Sequence, residues 1–207
     1  MNFNLYTIND SNLLENKIEE IEKEANSLRM SRVEPTKDRM WEIIYTVRDF
    51  VIEKRRKIYG GFALNKLIES VYPDDKFYDD DNVESWDIDF YSPDPISDAK
   101  EIANRLHAKG FQFVQASEAQ HEETYKVFAE TIDCADISYV PKNIYNRMPF
   151  VEVNKLHLAG PHFMMVDYFR MLTDPLTSYF RIQKSFKRLC LMLKHFPFPH
   201  NNNKISI

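Results

Sequence analysis

The alternation Trp86-Asp87-Ile88-Asp89-Phe90 constrains the fold more than any other stretch of this chain. Successive side chains of a strand point to opposite faces, so Trp86, Ile88 and Phe90 would anchor one face on a core while Asp87 and Asp89 share the other. Carboxylates held side by side repel, and a fold that keeps them adjacent usually supplies a cation between them. Magnesium suits that place, since it is held by one or two carboxylates together with substrate phosphates.

A second feature narrows the chemistry. The chain has only 4 glycines in 207 residues, and two of them are adjacent in Tyr59-Gly60-Gly61-Phe62-Ala63-Leu64-Asn65, just before a run with helical spacing. Glycine lets a ligand approach the backbone, and the first turn of a helix presents unpaired N–H groups to it. A triphosphate fits such a place. Alone, a glycine pair is more often a structural turn and an Asp-x-Asp more often a surface feature; together they read as a nucleotidyl-transfer site. Two-metal chemistry needs a third carboxylate. In Ile132 to Val140, Ala135, Ile137 and Tyr139 alternate with Asp136 and Ser138, so Asp136 faces away from the core and would join Asp87 and Asp89 if the two strands are neighbours. The parity of Asp133 puts it with Ala135 and Ile137 on the core side, so Asp136 is preferred. The wide gap between Gly61 and Asp87 requires an insertion, and the acidic stretch Pro73 to Ser85 supplies it.

The remaining elements follow in order. Ser11 to Arg29 reads as an amphipathic helix with Leu14, Ile18, Ile21, Ala25 and Leu28 on one side, and Thr36 to Arg56 as a second, carrying Met40, Ile43, Ile44, Val47 and Val51. Both are assigned to an N-terminal helical layer. After Ser92-Pro93-Asp94-Pro95 comes a helix capped by Ser97 or Asp98 and ended by Gly110. Strands are expected over Phe111 to Ala116 and Thr124 to Ala129, with a turn at Glu118 to Glu123, then the Asp136 strand and a weaker one through Phe150, Val151 and Val153. A helix from His162 to Leu172 precedes a last one that opens at Asp174-Pro175 and runs to Phe196. Its Arg181, Lys184, Lys187 and Arg188 recur on one face, which reads equally as a seat for phosphate or RNA backbone and as a solvated face. The expected domains are 1–56, a helical extension; 57–198, the core; and 199–207, a flexible tail.

Hydrophobic residues at 43% and charged residues at 29% argue against global disorder. Cys134 and Cys190 are too few for a disulfide framework, and the six histidines show no zinc spacing. Cys134 has neither a base nor a second thiol near it in sequence, which speaks against nucleophilic catalysis. Neither a targeting segment nor a bilayer-spanning run is visible. The basic run Lys54-Arg55-Arg56-Lys57 and the acidic run Asp74, Asp75, Asp79, Asp80 and Asp81 are both read as solvated surface. The net charge of −5 does not itself point to a nucleic-acid binder.

The Tyr59 to Asn65 block, Asp87-Ile88-Asp89-Phe90-Tyr91-Ser92-Pro93-Asp94-Pro95, His121 to Lys126, Ala135 to Pro141, and Val166-Asp167-Tyr168-Phe169-Arg170 through Arg181, Lys184 and Arg188 together resemble the poly(A) polymerase catalytic subunits of large cytoplasmic DNA viruses. The likeness is greater to the mimivirus and asfarvirus kind than to the poxvirus enzymes. It implies an α+β nucleotidyltransferase fold, a small mixed sheet flanked by helices. It also implies template-independent addition of AMP from ATP to an RNA 3′ end, with release of pyrophosphate and two Mg²⁺ or Mn²⁺ ions. By the same resemblance Gly60 and Gly61 hold the ATP phosphates, Asp87 and Asp89 bind both metals, and Asp136 holds the metal that activates the primer hydroxyl. Asn65 and Lys184 are further nucleotide-contact candidates.

The resemblance implies a place in the cytoplasm of an infected cell, in a viral factory or in the virion, with RNA and ATP as partners and a second copy or a processivity partner as further ones. Members of the family run longer, with another domain after this core. A short form, a fragment, or a chain that needs a partner is therefore expected. Two other functions stay open on the residues alone. One is a small nucleotidyltransferase acting on a protein, a tRNA or a small molecule, which suits the net charge. The other is a binding module without chemistry, against which the three acids speak.

Overall fold

The computed structural model describes residues 7–33, 36–79, 86–120 and 123–198. Asp80, Asp81, Ser85, His121 and the whole expected tail 199–207 lie outside the described residues.

The chain divides into two compact units between residues 36 and 37. In the first, helix α1 spans Ile8–Val33 and opens where Thr7 Oγ1 donates to Asp10 Oδ2 at 2.7 Å while accepting from the Asp10 N–H at 3.3 Å. Its apolar stripe of Leu14, Ile18, Ile21 and Leu28 is exposed. Helix α2, Lys37–Glu53, belongs to the second unit. The sequence reading placed a boundary after residue 56, whereas Ile43, Val47, Phe50 and Val51 of α2 are sealed into the core that the sheet also lines.

That sheet has seven strands: β1 (Lys57–Tyr59), β2 (Ile88–Ser92), β3 (Gln115–Glu118), β4 (Thr124–Ala129), β5 (Ile132–Tyr139), β6 (Phe150–Val153) and β7 (Leu156–Ala159). Their spatial order is β3-β4-β5-β2-β1-β7-β6. It is mixed: β2 runs parallel to β5 and β1 to β7, and the other neighbours are antiparallel. Helix α3 (Gly60–Val71) leaves β1 directly, and α4 (Pro95–Ala108) leaves β2 after a short turn. The N-cap of α4 is Asp94, whose side chain accepts the Ser97 N–H at 3.3 Å ahead of Pro95; Ser97 and Asp98, the expected caps, lie inside the first turn. Asp98 instead pairs with Arg56 at 2.7 Å.

Alternation in β2 sets the two faces. Ile88 and Phe90 are buried, with Phe90 6.0 Å from Phe50 of α2. On the opposite face Tyr91 stacks on Tyr59 at 4.2 Å and meets Phe163 edge-on at 5.7 Å. Phe163 belongs to α6 (Pro161–Thr173), which therefore packs on the face that carries Asp89. Before it come α5 (Lys142–Arg147) and the β6–β7 hairpin. Asn154 and Lys155 both take positive φ at that turn, as a tight hairpin demands. The sequence reading missed α5 and β7, which are too short to show a period.

The final helix is interrupted where one continuous element is expected. It comprises α7 (Pro175–Ser178), a 3₁₀ turn over Tyr179–Arg181, and α8 (Ile182–His195). Ser178 Oγ turns back onto the Met171 and Asp174 carbonyls at 2.5 and 2.7 Å, a side-chain competition for backbone that unsettles a helix. Arg181 at the end of the 3₁₀ turn and Lys184 and Arg188 of α8 line one pocket.

The basic run before Gly60 is not the solvated surface expected of it. Lys57 is buried, with Nζ donating to the Tyr145 and Met148 carbonyls at 2.5 and 2.8 Å, and Arg56 is tied to Asp98. The acidic stretch is also engaged: Asp75 pairs with Lys194 at 2.5 Å, linking the 3₁₀ turn over Pro73–Asp75 to the end of α8.

Candidate active site

Three registered strands assemble the acidic face. Tyr59 of β1 lies opposite Asp89 of β2, and Asp89 lies opposite Asp136 of β5. Asp87, just before β2, shares the parity of Asp89 and still meets solvent. Nearby, Tyr59 Oη and Ser138 Oγ share a 2.8 Å hydrogen bond. Tyr91 Oη donates to Asp167 of α6.

Gly60 has φ +76°, and a Cβ there would collide with Asp89 Oδ2. A Cβ at Gly61 would collide with the Arg188 guanidinium and stand 2.9 Å from Tyr78 Oη. The glycine pair is therefore a junction: it lets the first turn of α3 meet an acid on one side and a cation on the other. Gly60, Asp89, Asp167, Arg181, Lys184 and Arg188 surround a pocket whose apolar wall includes Met164, Tyr168 and Met171.

Charge in the site is unbalanced in two directions. Burial, then Asp87 and Asp136, push the Asp89 carboxyl well above its ordinary range. Burial in its crowded surroundings, then Asp136 and Asp133, raise Asp87 to about 6, with Lys126 and Lys184 acting the other way. The cations are strained in turn: Arg188 first, then burial and Arg181, lower Lys184. Like charges on each side of the pocket are an arrangement that bound phosphates and cations would relieve.

Asn65 is not part of the pocket. It is 2% exposed, and its Oδ1 accepts the Phe77 and Tyr78 N–H groups at 2.8 and 3.0 Å, fixing the segment after α3. Tyr78 Oη in turn accepts from Arg188 at 2.5 Å, so Asn65 reaches the site through Arg188.

Asp133 departs from the expected core side. The register pairs Val127 with Ala135 but Phe128 with Asp133, so Cys134 is an extra residue in a β-bulge. The bulge shifts parity and brings Asp133 to the face of Asp136, where Lys126 binds both acids. Cys134 is buried, with Sγ donating to the Val127 carbonyl at 3.1 Å. None of the described histidines lines the pocket.

The model of the poly(A) polymerase catalytic subunit family matches residues 45–178, which contain Gly60, Gly61 and all three acids. The chain belongs to this family. It is 36% identical to a putative poly(A) polymerase catalytic subunit of Acanthamoeba polyphaga mimivirus over 98% of its own length and 34% of the relative's. It is 30% identical to the corresponding putative subunit of African swine fever virus over 74% of the chain and 33% of the relative. The crystal structure of the Megavirus polyadenylate synthase is similar at a TM-score of 0.76 and 37% identity, covering 98% of this chain and 40% of that one. The chain thus spans about a third of the length of the curated relatives it matches. The seven-stranded mixed sheet with flanking helices is the α+β architecture implied by the family resemblance. No helix among the described residues is long and apolar enough to cross a membrane.

Three residues not expected from the sequence as site residues contact this face: Lys126 pairs with Asp133 and Asp136, and Tyr91 donates to Asp167. Lys126 had a signal in the sequence, since it sits in a strand of the same parity pattern, but its partner depended on a bulge that spacing does not reveal.

Proposed function

We propose that this chain carries the catalytic centre for template-independent transfer of AMP from ATP to an RNA 3′-hydroxyl. The observation that carries the reading is the registered Asp89–Asp136 pair, whose Asp89 shares a pocket with Gly60 at the opening of α3 and with Arg181, Lys184 and Arg188. The donor chemistry suits divalent cations, being hard carboxylate oxygens. Asp136 Oδ1, however, is paired with the Lys126 ammonium at 3.0 Å, and among the described residues no three such side chains are gathered closely enough to hold an ion without rearrangement. Mg²⁺ or Mn²⁺ ions held by Asp87, Asp89 and Asp136 would supply charge neutralisation and a more acidic primer hydroxyl.

The chain's own residues would do the rest. The first turn of α3, open at Gly60 and Gly61, would receive phosphate oxygens through its N–H groups. Arg181, Lys184 and Arg188 would offset the triphosphate charge and that of the departing pyrophosphate. Asp136 would orient the RNA end, and Tyr168, Met164 and Met171 would shield the nucleotide from water. By this reading the protein acts where viral RNA is made, in the cytoplasm of an infected cell or in the virion.

The test is incorporation of labelled ATP onto an oligo(A) primer with Mg²⁺ or Mn²⁺, comparing the wild type with Asp87→Ala, Asp89→Ala. Extension by the wild type, lost in the double variant, is expected. Extension that survives the double variant overturns the site. ATP binding without extension of any RNA moves the reading to a different acceptor.

A further inference from the structure

Lys126 and Asp136 are cross-strand partners in the β4–β5 register, and Lys126 Nζ lies 3.0 Å from Asp136 Oδ1. The same ammonium donates to Asp133 Oδ2. The two contacts differ. The one to Asp133 is a hydrogen bond, whereas Asp136 Oδ1 is paired by charge and has no aligned hydrogen-bond donor. Asp133 reaches this face only because of the Cys134 bulge; in a regular strand it would point to the core.

We propose that Lys126 is the resident counter-ion of Asp136, and that Asp133 is the seat that keeps it when a divalent cation takes the Asp136 carboxylate. The inference rests on the proposed metal role of Asp136. An ammonium beside a carboxylate neutralises it without a metal, and it also repels a divalent cation arriving at the same oxygens. A lysine with no second carboxylate would have to be left unpaired on cation binding, in a half-buried place where an unpaired charge is costly. The bulge removes that cost by bringing Asp133 within reach of the same Nζ, so that a small rotation about the lysine stem exchanges a shared pair for a single one.

The test is Mn²⁺ binding to the full chain, read from the electron paramagnetic resonance signal of the free ion. Lys126→Met should bind Mn²⁺ about 3- to 10-fold more tightly than wild type at low ionic strength, and less so in high salt. Lys126→Arg should stay near wild type, and Asp136→Asn should bind more weakly. Unchanged or weaker binding by Lys126→Met, with Asp136→Asn still weakened, overturns the counter-ion role and leaves the metal reading standing. Asp136→Asn binding like wild type removes the metal reading and this inference with it. A measurement on the unaltered chain covers the case of a variant that does not fold: the Lys126 Nζ resonance should shift on adding Mg²⁺ to wild type, and a resonance that does not move refutes the exchange.

Discussion

Gly60 and Asp89 are packed so closely that the glycine has no room for a Cβ: an added methyl would overlap Asp89 Oδ2. Sequence reasoning assigns this glycine to phosphate approach, and the geometry adds an intramolecular reason. β1 hands the chain to α3 at the register position opposite Asp89, so the backbone must turn at φ +76° against a carboxylate. Gly60→Ala should therefore lose on two counts, with about 1–2 kcal/mol from the left-handed backbone and more from displacing Asp89. Denaturant unfolding should show the stability loss, and ATP incorporation should fall by more than stability alone explains.

Arg188 stands over the first turn of α3 and holds Tyr78 Oη. Removing its charge with Arg188→Met should weaken ATP binding by about tenfold or more, as expected for losing one charge-assisted contact to phosphate. Calorimetric titration with ATP is the check. A variant that binds like wild type would place the triphosphate elsewhere.

Asp87 gives a pH dependence whose sign is fixed. Its pKa in the folded chain, about 6, lies above the ordinary 3.8, so over the interval between them the folded chain keeps a proton that the unfolded chain has released. Stability contributed by this group is then lost as pH rises from about 4 to about 6, and Asp89, also shifted upward, adds to the loss in the same direction. Thermal unfolding across that range should show Tm falling with pH through this contribution. Asp87→Asn should flatten it, and Mn²⁺ should raise Tm above about pH 6 in the wild type but not in the variant.

The parts that were legible in the sequence are those with a period. Alternation at Asp87 to Phe90 and at Ala135 to Tyr139 placed two strands and set both faces, and their parallel pairing now puts Asp89 beside Asp136. The helical stripe of α2 was equally plain, but not that it lies in the core with the sheet. The misreadings share a cause: Asp133, Asn65 and Lys57 each depend on pairing outside their own element. Asp133 turns on one extra residue in β5, Asn65 on a backbone segment that returns to it, and Lys57 on two carbonyls from the end of α5 and just beyond. No local pattern encodes those partners.

The Arg56–Asp98 pair shows how such a hidden partner acts on stability. The two side chains are 17% and 4% exposed and meet at 2.7 Å, joining the entry to β1 with the first turn of α4. Truncating one member leaves the other charged and buried. Arg56→Ala or Asp98→Ala should cost about 3–5 kcal/mol, whereas replacing both with apolar residues of similar volume should cost much less. A double-mutant cycle in urea measures the difference, and additive losses would mean that the pair is not coupled.

Asn65 offers the sharpest separation of a contact residue from a positioning one. Its Oδ1 holds the Phe77 and Tyr78 N–H groups, and Tyr78 Oη in turn accepts from Arg188. Asn65→Ala would strand two N–H groups in a partly buried place, at about 1–3 kcal/mol, and would loosen Arg188 without touching ATP. Asn65→Asp keeps an acceptor oxygen at the same place. The alanine variant should therefore lower Tm and weaken ATP binding together, while the aspartate variant restores most of both. If Asn65 instead touched the nucleotide directly, aspartate would set a negative charge against phosphate, and binding would worsen although Tm recovered. Measuring Tm and the ATP dissociation constant on the same two variants distinguishes the outcomes.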